Sequence, residues 1–527
     1  MTSPFTSRLG TNYCPLDEEV LEIQRLLVEP LSRLKGIDDK IAELQKTVDE
    51  LTRERDSVST YVEAHKALLS PLRRLPLDII QEIFVACLPT HRNCVMSAVE
   101  APVLLGRICS SWRALSLSTP RLWARLHIAE PARPRPVQIY EEKYVQRLAT
   151  TKAWLGRSGH CPLSISLAGS QQSPPGTPDT VNPFLEVVLS YVSRWQHFVV
   201  ITLPGLDSVY NLTEHDVPLL ETLEIRPISL ARIHQSSFGL LHGSKISSFD
   251  LTVSDINPLA LPLRWENLTS LCLINQGRRP AGSLFTSDEA LKILTRCTRL
   301  RTCQFRLVET HTPPPLEDSI LELPYLSSLD ITLLGGLMFS PGRLFSRLLL
   351  PELRSLRFLS GVQASIPQNL SFPFLAVSPK LEQLELELQL FGNESLLHLL
   401  SVLPPSIQRL RLLGNIVTSD SFDDAALGSL TPSADNPAVS CPLLQELQVG
   451  FCLALSDHAV LRFIKARMTV QPATLRRVDM DFRREQQSDI RPEIQPFVDS
   501  GIDISIRYPP SFMAEFSPWR GVKDPPQ

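Results

Sequence analysis

One short pattern, apolar-x-x-apolar-x-apolar, recurs ten times between residues 220 and 480. The first five copies are Leu220/Leu223/Ile225, Ile246/Phe249/Leu251, Leu268/Leu271/Leu273, Leu300/Cys303/Phe305 and Leu326/Leu329/Ile331. The next five are Leu353/Leu356/Phe358, Leu381/Leu384/Leu386, Ile407/Leu410/Leu412, Leu444/Leu447/Val449 and Leu475/Val478/Met480. The last two apolar residues of a copy lie two apart, so in an extended chain both face the same side. No single copy buries that side alone, whereas stacked copies bury it continuously.

Single steps range from 22 to 37 residues and average about 28, within the 20–29 residue period of leucine-rich repeats. A weaker copy, Trp195/Phe198/Val200, precedes the series. Between copies, SDEALKILTRC (287–297), NESLLHLLSVL (393–403) and SDHAVLRFIKAR (456–467) read as helices, each opening on Ser or Asn with acidic residues behind it. Strand then returning helix, stacked repeatedly, predicts a curved solenoid over 181–510 with a parallel sheet on its concave side. The asparagine usual after such strands is absent except at Asn275 and Asn415, so the repeats are irregular.

Upstream the periodicity changes. Residues 17–70 read as helical, and from Leu34 the apolar positions Ile37, Ile41, Leu44, Val48, Leu51, Val58, Val62 and Leu69 follow alternating steps of three and four, with Arg55 and His65 on the seam. Pro30 and Gly36 disturb its upstream end. Two readings stay open: a homodimer through residues 34–69, or a hairpin folding back on residues 17–29. Residues 1–16 are expected to be disordered and 511–527 to form a tail. Residues 129–180 should hold Pro-rich linkers (PARPRP, QQSPPGTP), a helix and the first strand, LSISLAG.

Composition narrows the function. Net charge is −4, from 52 basic and 56 acidic residues, which gives no basic field for nucleic acid. No uncharged apolar stretch reaches the roughly 18 residues of a membrane span. The ten cysteines include no C-x-x-C pair, and no signal-peptide stretch opens the chain, so an intracellular, cytoplasmic or nuclear, reduced protein is expected. Phosphate-loop, H-E-x-x-H, G-x-S-x-G and G-x-G-x-x-G motifs are missing, and the closest histidines, His234 and His242, have no cysteine beside them. No catalysis, cofactor or metal site is expected.

The remaining segment, 71–128, carries the functional signal. In LRRLPLDIIQEIFVAC (72–87), Leu75, Ile79, Ile80, Ile83 and Phe84 paint one helix face, with Pro76 and Asp78 at its start. Further on, in VLLGRICSSWRALSLSTPRLWARLHI, residues Leu104, Leu105, Ile108, Trp112 and Leu115 fall at helical spacing, and Leu122-Trp123 follow a Ser-Thr-Pro break. Such a segment is too short for a stable core of its own. Its apolar face either docks on a partner, with Trp as the expected anchor type, or caps the first repeat. Trp123 suits both.

LPLDIIQEIF followed by RICSSWRALSLSTPRLW resembles the F-box, in the form found in F-box-like proteins of mushroom-forming fungi, CPLSISL at 161–167 included. The interval from Leu75 to Trp112 is longer than in compact F-boxes, with the excess around 89–102. The resemblance implies a three-helix element that docks the Skp-type adaptor of an SCF ubiquitin ligase, and through it a cullin, while the repeats bind a protein substrate. Carried over by motif position, Leu75, Pro76, Ile79, Ile80, Ile83 and Phe84 would form the first contact helix. Ile108, Cys109, Trp112, Leu122 and Trp123 would supply the rest. A non-ligase interaction scaffold built from the same modules is the alternative.

For the substrate face, the residue between the last two apolar positions points to the opposite side of the strand. That column reads Glu224, Asp250, Cys272, Gln304, Asp330, Arg357, Glu385, Arg411, Gln448 and Asp479. Its mixed signs suit protein recognition, and Arg357, Glu385, Glu387, Arg409 and Arg411 are the candidate substrate contacts.

Overall fold

The computed structural model describes residues 3–69, 71–131, 137–170, 182–203, 205–226, 238–253, 257–275, 285–308, 320–334, 342–360, 372–414, 421–433, 439–470 and 472–509. The expected C-terminal tail lies outside them, as do most of both Pro-rich linkers. The chain divides into two compact units, Met1–Ile83 and Phe84–Gln527.

The first unit is dominated by one helix, α1 (Asp17–Leu68), of 52 residues. It runs unbroken through Pro30 and Gly36, so residues 17–29 continue the helix rather than returning along it, and the hairpin reading is overturned. Pro30 removes one amide donor from the ladder, and the turns on either side carry the helix through. Ahead of α1, residues 8–16 hydrogen-bond to the start of the helix. Glu19, in the first turn, accepts hydrogen bonds from the Leu16 amide (2.9 Å), the Tyr13 hydroxyl (2.8 Å) and Arg8 Nη1 (2.7 Å). The carboxylate sits where free amides and the helix dipole favour negative charge. After α1 comes α2 (Leu77–Ala86), and the boundary between the two units falls inside it.

The second unit is mixed α and β, built on one open sheet of 14 parallel strands. In chain order the strands are β1 (Arg125–Ala129), β2 (Leu163–Ala168), β3 (Trp195–Ile201), β4 (Thr222–Arg226), β5 (Ser248–Val253), β6 (Ser270–Asn275), β7 (Thr302–Val308), β8 (Leu321–Glu322), β9 (Ser328–Leu334), β10 (Leu348–Leu349), β11 (Ser355–Ser360), β12 (Gln383–Glu387), β13 (Arg409–Leu413), β14 (Glu446–Cys452), β15 (Arg477–Phe482) and β16 (Asp503–Arg507). Spatial order follows chain order, with β8 and β10 set apart as a two-stranded pair. LSISLA is therefore the second strand; the first, RLHIA, sits at the end of the segment read as helical.

Every repeated apolar triplet lies on or beside a strand, and the strands align in one register: Leu223, Phe249, Leu271, Cys303, Leu329, Leu356, Leu384, Leu410, Leu447 and Val478 form one continuous row, all buried. A parallel pair needs a long crossover, and the crossovers hold short helices whose apolar sides join this core. The segment at 287 starts on Thr286, not Ser287: its hydroxyl caps the Glu289 amide (3.3 Å) and Glu289 returns the bond (3.1 Å), a capping box. The helix Asn393–Val402 likewise begins after Gly392, with no side-chain cap, whereas Ser456 does cap the helix Asp457–Thr469.

Two charged groups hold the C-terminal end of the core. Buried Arg467 donates to the carbonyls of Leu430 (2.8 Å), Cys441 (2.9 Å) and Ser440 (3.0 Å), and burial pushes its pKa down to about 10. Asp457, with no exposed side-chain surface, accepts from Arg484 (2.6 Å), the Gln487 and Ser488 amides (both 2.8 Å) and the Tyr508 hydroxyl (3.1 Å).

Candidate functional site

The stripe of the first unit divides when its burial is read. Ile79 and Ile83, four apart on α2, are exposed, as is the preceding Pro76; Leu75 is half-buried and Ile80 is buried. Leu77 is 62% exposed and belongs with Ile79 and Ile83, although the motif comparison passes over it.

In the second unit, Phe84 ends the stripe and is wholly buried. The segment read as one helix over 104–115 is two: α3 (Leu105–Ile108) and α4 (Ser110–Leu117). Cys109 separates them with extended backbone, and its thiol accepts from the Trp112 amide (3.4 Å), capping α4. That break leaves Leu104 and Ile108 on the outside of α3, exposed, with Cys109 exposed beside them and Leu117 exposed at the end of α4. Trp112 is half-buried, its ring 4.8 Å from that of Phe84. Leu122 and Trp123 are buried. Trp123 Nε1 donates to Ser116 O (2.8 Å), its ring meets Trp154 edge-on at 4.8 Å, and Arg157 covers it at 4.7 Å. Phe84, Leu122 and Trp123 therefore support a surface that Ile108, Cys109, Trp112, Leu104 and Leu117 present.

The extra residues of this segment have a structural task. Val95 bridges to His127 of β1, whose amide donates to Cys94 O (2.7 Å). Arg125 donates to Pro89 O and Arg92 O (both 2.9 Å), and Asn93 bonds Ser164 (2.8 Å) and Ser166 (3.1 Å) on β2. Arg92 pairs with Glu100 to hold the loop. The excess length covers an open sheet edge, which is otherwise a template for pairing with another chain.

On the open face of the sheet, the column read from the sequence is a real row: Glu224, Asp250, Cys272, Gln304, Asp330, Arg357, Glu385, Arg411, Gln448 and Asp479 stand in register on successive strands. Arg357 pairs with Glu385 (2.9 Å) on one side and Asp330 (3.4 Å) on the other; Arg411 reaches Glu385 (3.8 Å) and Arg409 reaches Glu446 (3.7 Å). The candidate charges thus largely neutralise one another. Glu387 lies apart from them, buried and accepting from the Ser360 amide (2.6 Å) and Gln389 (2.5 Å), with its pKa raised by burial.

Two residues earlier on each strand runs a second row: Thr222, Ser248, Ser270, Thr302, Ser328 and Ser355, then Gln383, Arg409, Glu446, Arg477 and Asp503. Six short hydroxyl side chains leave room where the later, longer ones do not. A groove of about 350 Å³ lies over β4 to β9, floored by the hydroxyls and flanked by Glu224, Asp250 and Asp330. Burial raises the pKa of Glu224 against the pull of Arg226, and that of Asp330 against Arg357. One oxygen each of Asp250 and Asp330 is out of solvent and accepts no hydrogen bond. Sequence reading missed this groove by following a single column; the Ser/Thr recurrence was the available signal.

Among the described residues no helix is long and apolar enough to cross a membrane, and no group of three or more His, Cys, Asp or Glu could hold a metal. No protein-family model matches the chain, and comparison with curated proteins finds no match.

Proposed function

We propose that this protein is a substrate receptor of an SCF-type ubiquitin ligase, non-catalytic itself. Leu104, Ile108, Cys109 and Trp112 of the second unit would be contacts for a Skp-type adaptor, and Leu77, Ile79 and Ile83 of the first unit would be contacts in their own right. The parallel sheet, read as a leucine-rich-repeat solenoid, would hold the substrate on its open face. One observation carries this reading: at the F-box-like positions, Ile79 and Ile83 of the first contact helix and Ile108 of α3 are exposed, while Ile80 and Phe84 serve the chain's own core. Isolated exposed leucines need no explanation, but several on consecutive short helices mark an interaction surface.

The groove over β4 to β9 is the better substrate site than the Arg357 patch, because its short hydroxyl side chains leave room that the longer side chains of the later strands fill. Arg226 already pairs with Glu224 and Asp250, and Arg357 with Asp330, but one oxygen each of Asp250 and Asp330 accepts no hydrogen bond, so an extended segment bearing Lys or Arg fits it. Co-purification tests the whole reading. A receptor brings down adaptor and cullin together, and loses both with I83D/I108D. A non-ligase scaffold brings down a partner without cullin.

A further inference from the structure

The continuity of α1 changes what its apolar seam amounts to. Counting back from Leu34 through the unbroken helix, the same alternation of four and three places Pro30, Leu27, Ile23 and Val20 on the seam. The repeat therefore spans Val20 to Leu69, seven heptads and about 74 Å at 1.5 Å per residue, beyond the three or four heptads a coiled coil requires. From Leu27 to Leu69 its Leu, Ile and Val members are between 40 and 78% exposed. A helix this long with such a stripe has no core of its own to bury it in.

We infer that α1 forms a parallel, in-register, two-stranded coiled coil with a second copy of this chain. The seam chooses its own partner. With Leu34, Ile41 and Val48 at the a positions and Ile37, Leu44 and Leu51 at d, the central layers carry β-branched a residues against Leu at d, the pattern that favours parallel dimers. Arg55 at an a position acts against trimers, because a charged a side chain still reaches solvent at the rim of a two-stranded coil.

Charge across the seam agrees. In a parallel pair each g residue faces the e residue five positions on in the other helix. The pairs are Glu19–Gln24, Leu26–Leu31, Arg33–Asp38, Lys40–Gln45, Thr47–Thr52, Glu54–Ser59 and Tyr61–Lys66. None sets like charges together, Arg33–Asp38 is attractive twice over by symmetry, and Leu26–Leu31 widens the apolar stripe. Both chains leave such a coil at the same end, so the dimer presents its adaptor and substrate surfaces in duplicate and gains avidity.

Sedimentation of the full chain over nanomolar to micromolar concentrations tests this. A concentration-dependent dimer is expected; a monomer at tens of micromolar (an order-of-magnitude working range) or a trimer overturns the inference. I41D/V48D should sediment as a monomer throughout, and a dimer surviving that change places the interface elsewhere. Orientation is tested by charge exchange, which leaves the seam intact. R33E should raise the dissociation constant roughly tenfold by making two like-charged pairs, and R33E/D38R should restore it. Failure of the double variant to restore the dimer excludes the parallel, in-register arrangement.

Discussion

Replacing Ile108 with Asp separates a docking surface from a core. Burying an Ile side chain fully is worth about 1.5–3 kcal/mol; Ile108 is 56% exposed, so less than half of that holds the fold together. I108D should therefore cost about 1 kcal/mol and move the thermal midpoint by roughly 2 °C. Trp123, 3% exposed and hydrogen-bonded to Ser116, is the contrast. W123A leaves a cavity and should cost about 3–5 kcal/mol. Adaptor binding should respond in the opposite order. A carboxylate forced into an apolar interface without a partner costs several kcal/mol, and about 3 kcal/mol is on the order of a hundredfold in affinity. Titration calorimetry against a purified Skp-type adaptor, beside thermal melts of both variants, reads the two effects separately. If I108D melts as early as W123A, Ile108 is core. If I108D binds adaptor like the wild type, the proposed docking face is wrong.

Three further outcomes are expected. S270L/S328L fills the hydroxyl-floored groove from two strands, and should change the proximity-labelling profile of the full chain while adaptor binding persists; an unchanged profile moves the substrate site off β4 to β9. R357E sets a third carboxylate between Glu385 and Asp330, so it should cost about 1–2 kcal/mol in denaturant unfolding against at most about 0.5 kcal/mol for R409E, with E385R partly rescuing it; equal costs would deny the cross-strand pairing. For Asp457, burial alone would raise the pKa, but the Arg484 pair and the Ser488 and Gln487 amides outweigh it and hold the carboxyl below its ordinary value. A depressed folded-state pKa gives stability that is full above the unfolded-state value and is lost as pH falls through the folded one, so D457N should cost about 3 kcal/mol at neutral pH and flatten the acid limb of the stability profile, measured by unfolding at a series of pH values.

The strands were legible because their apolar positions repeat in one phase, and burial enforces that phase on every copy: a slip of one residue would turn Leu356 or Leu410 to the open face. The pairing of Arg357 with Glu385 was legible too, since equal phase sets them opposite each other; tallying signs down one column hid it. Other features left no periodic trace. RLHIA is five residues long and follows Trp123 directly, so it reads as the tail of a helical motif until Val95 and Ser164 are seen bonding around it. The break at Cys109 depends on one extended residue inside a stretch whose apolar spacing is helical throughout. Nothing in the spacing of Ile80, Ile83 and Phe84 says which of them is covered, because adjacent positions on a short helix differ in exposure only through what packs on it.

The stripe that could be either core or contact is both, residue by residue, and in the second unit that division has a mechanical consequence. Phe84, Leu105, Leu122 and Trp123 are buried, Trp123 rests on Trp154 of the helix Val137–Arg157, and residues 89–95 are bonded to β1 and β2. The exposed side chains of α3 and α4 are thereby fixed to the first strands of the same sheet whose open face carries the groove. A motif joined by a flexible linker would let a bound partner wander; this one shares a core with the sheet. On the proposed reading, the adaptor contacts of α3 and α4 and the substrate groove belong to one compact unit, separated by the strands between Arg125 and the groove.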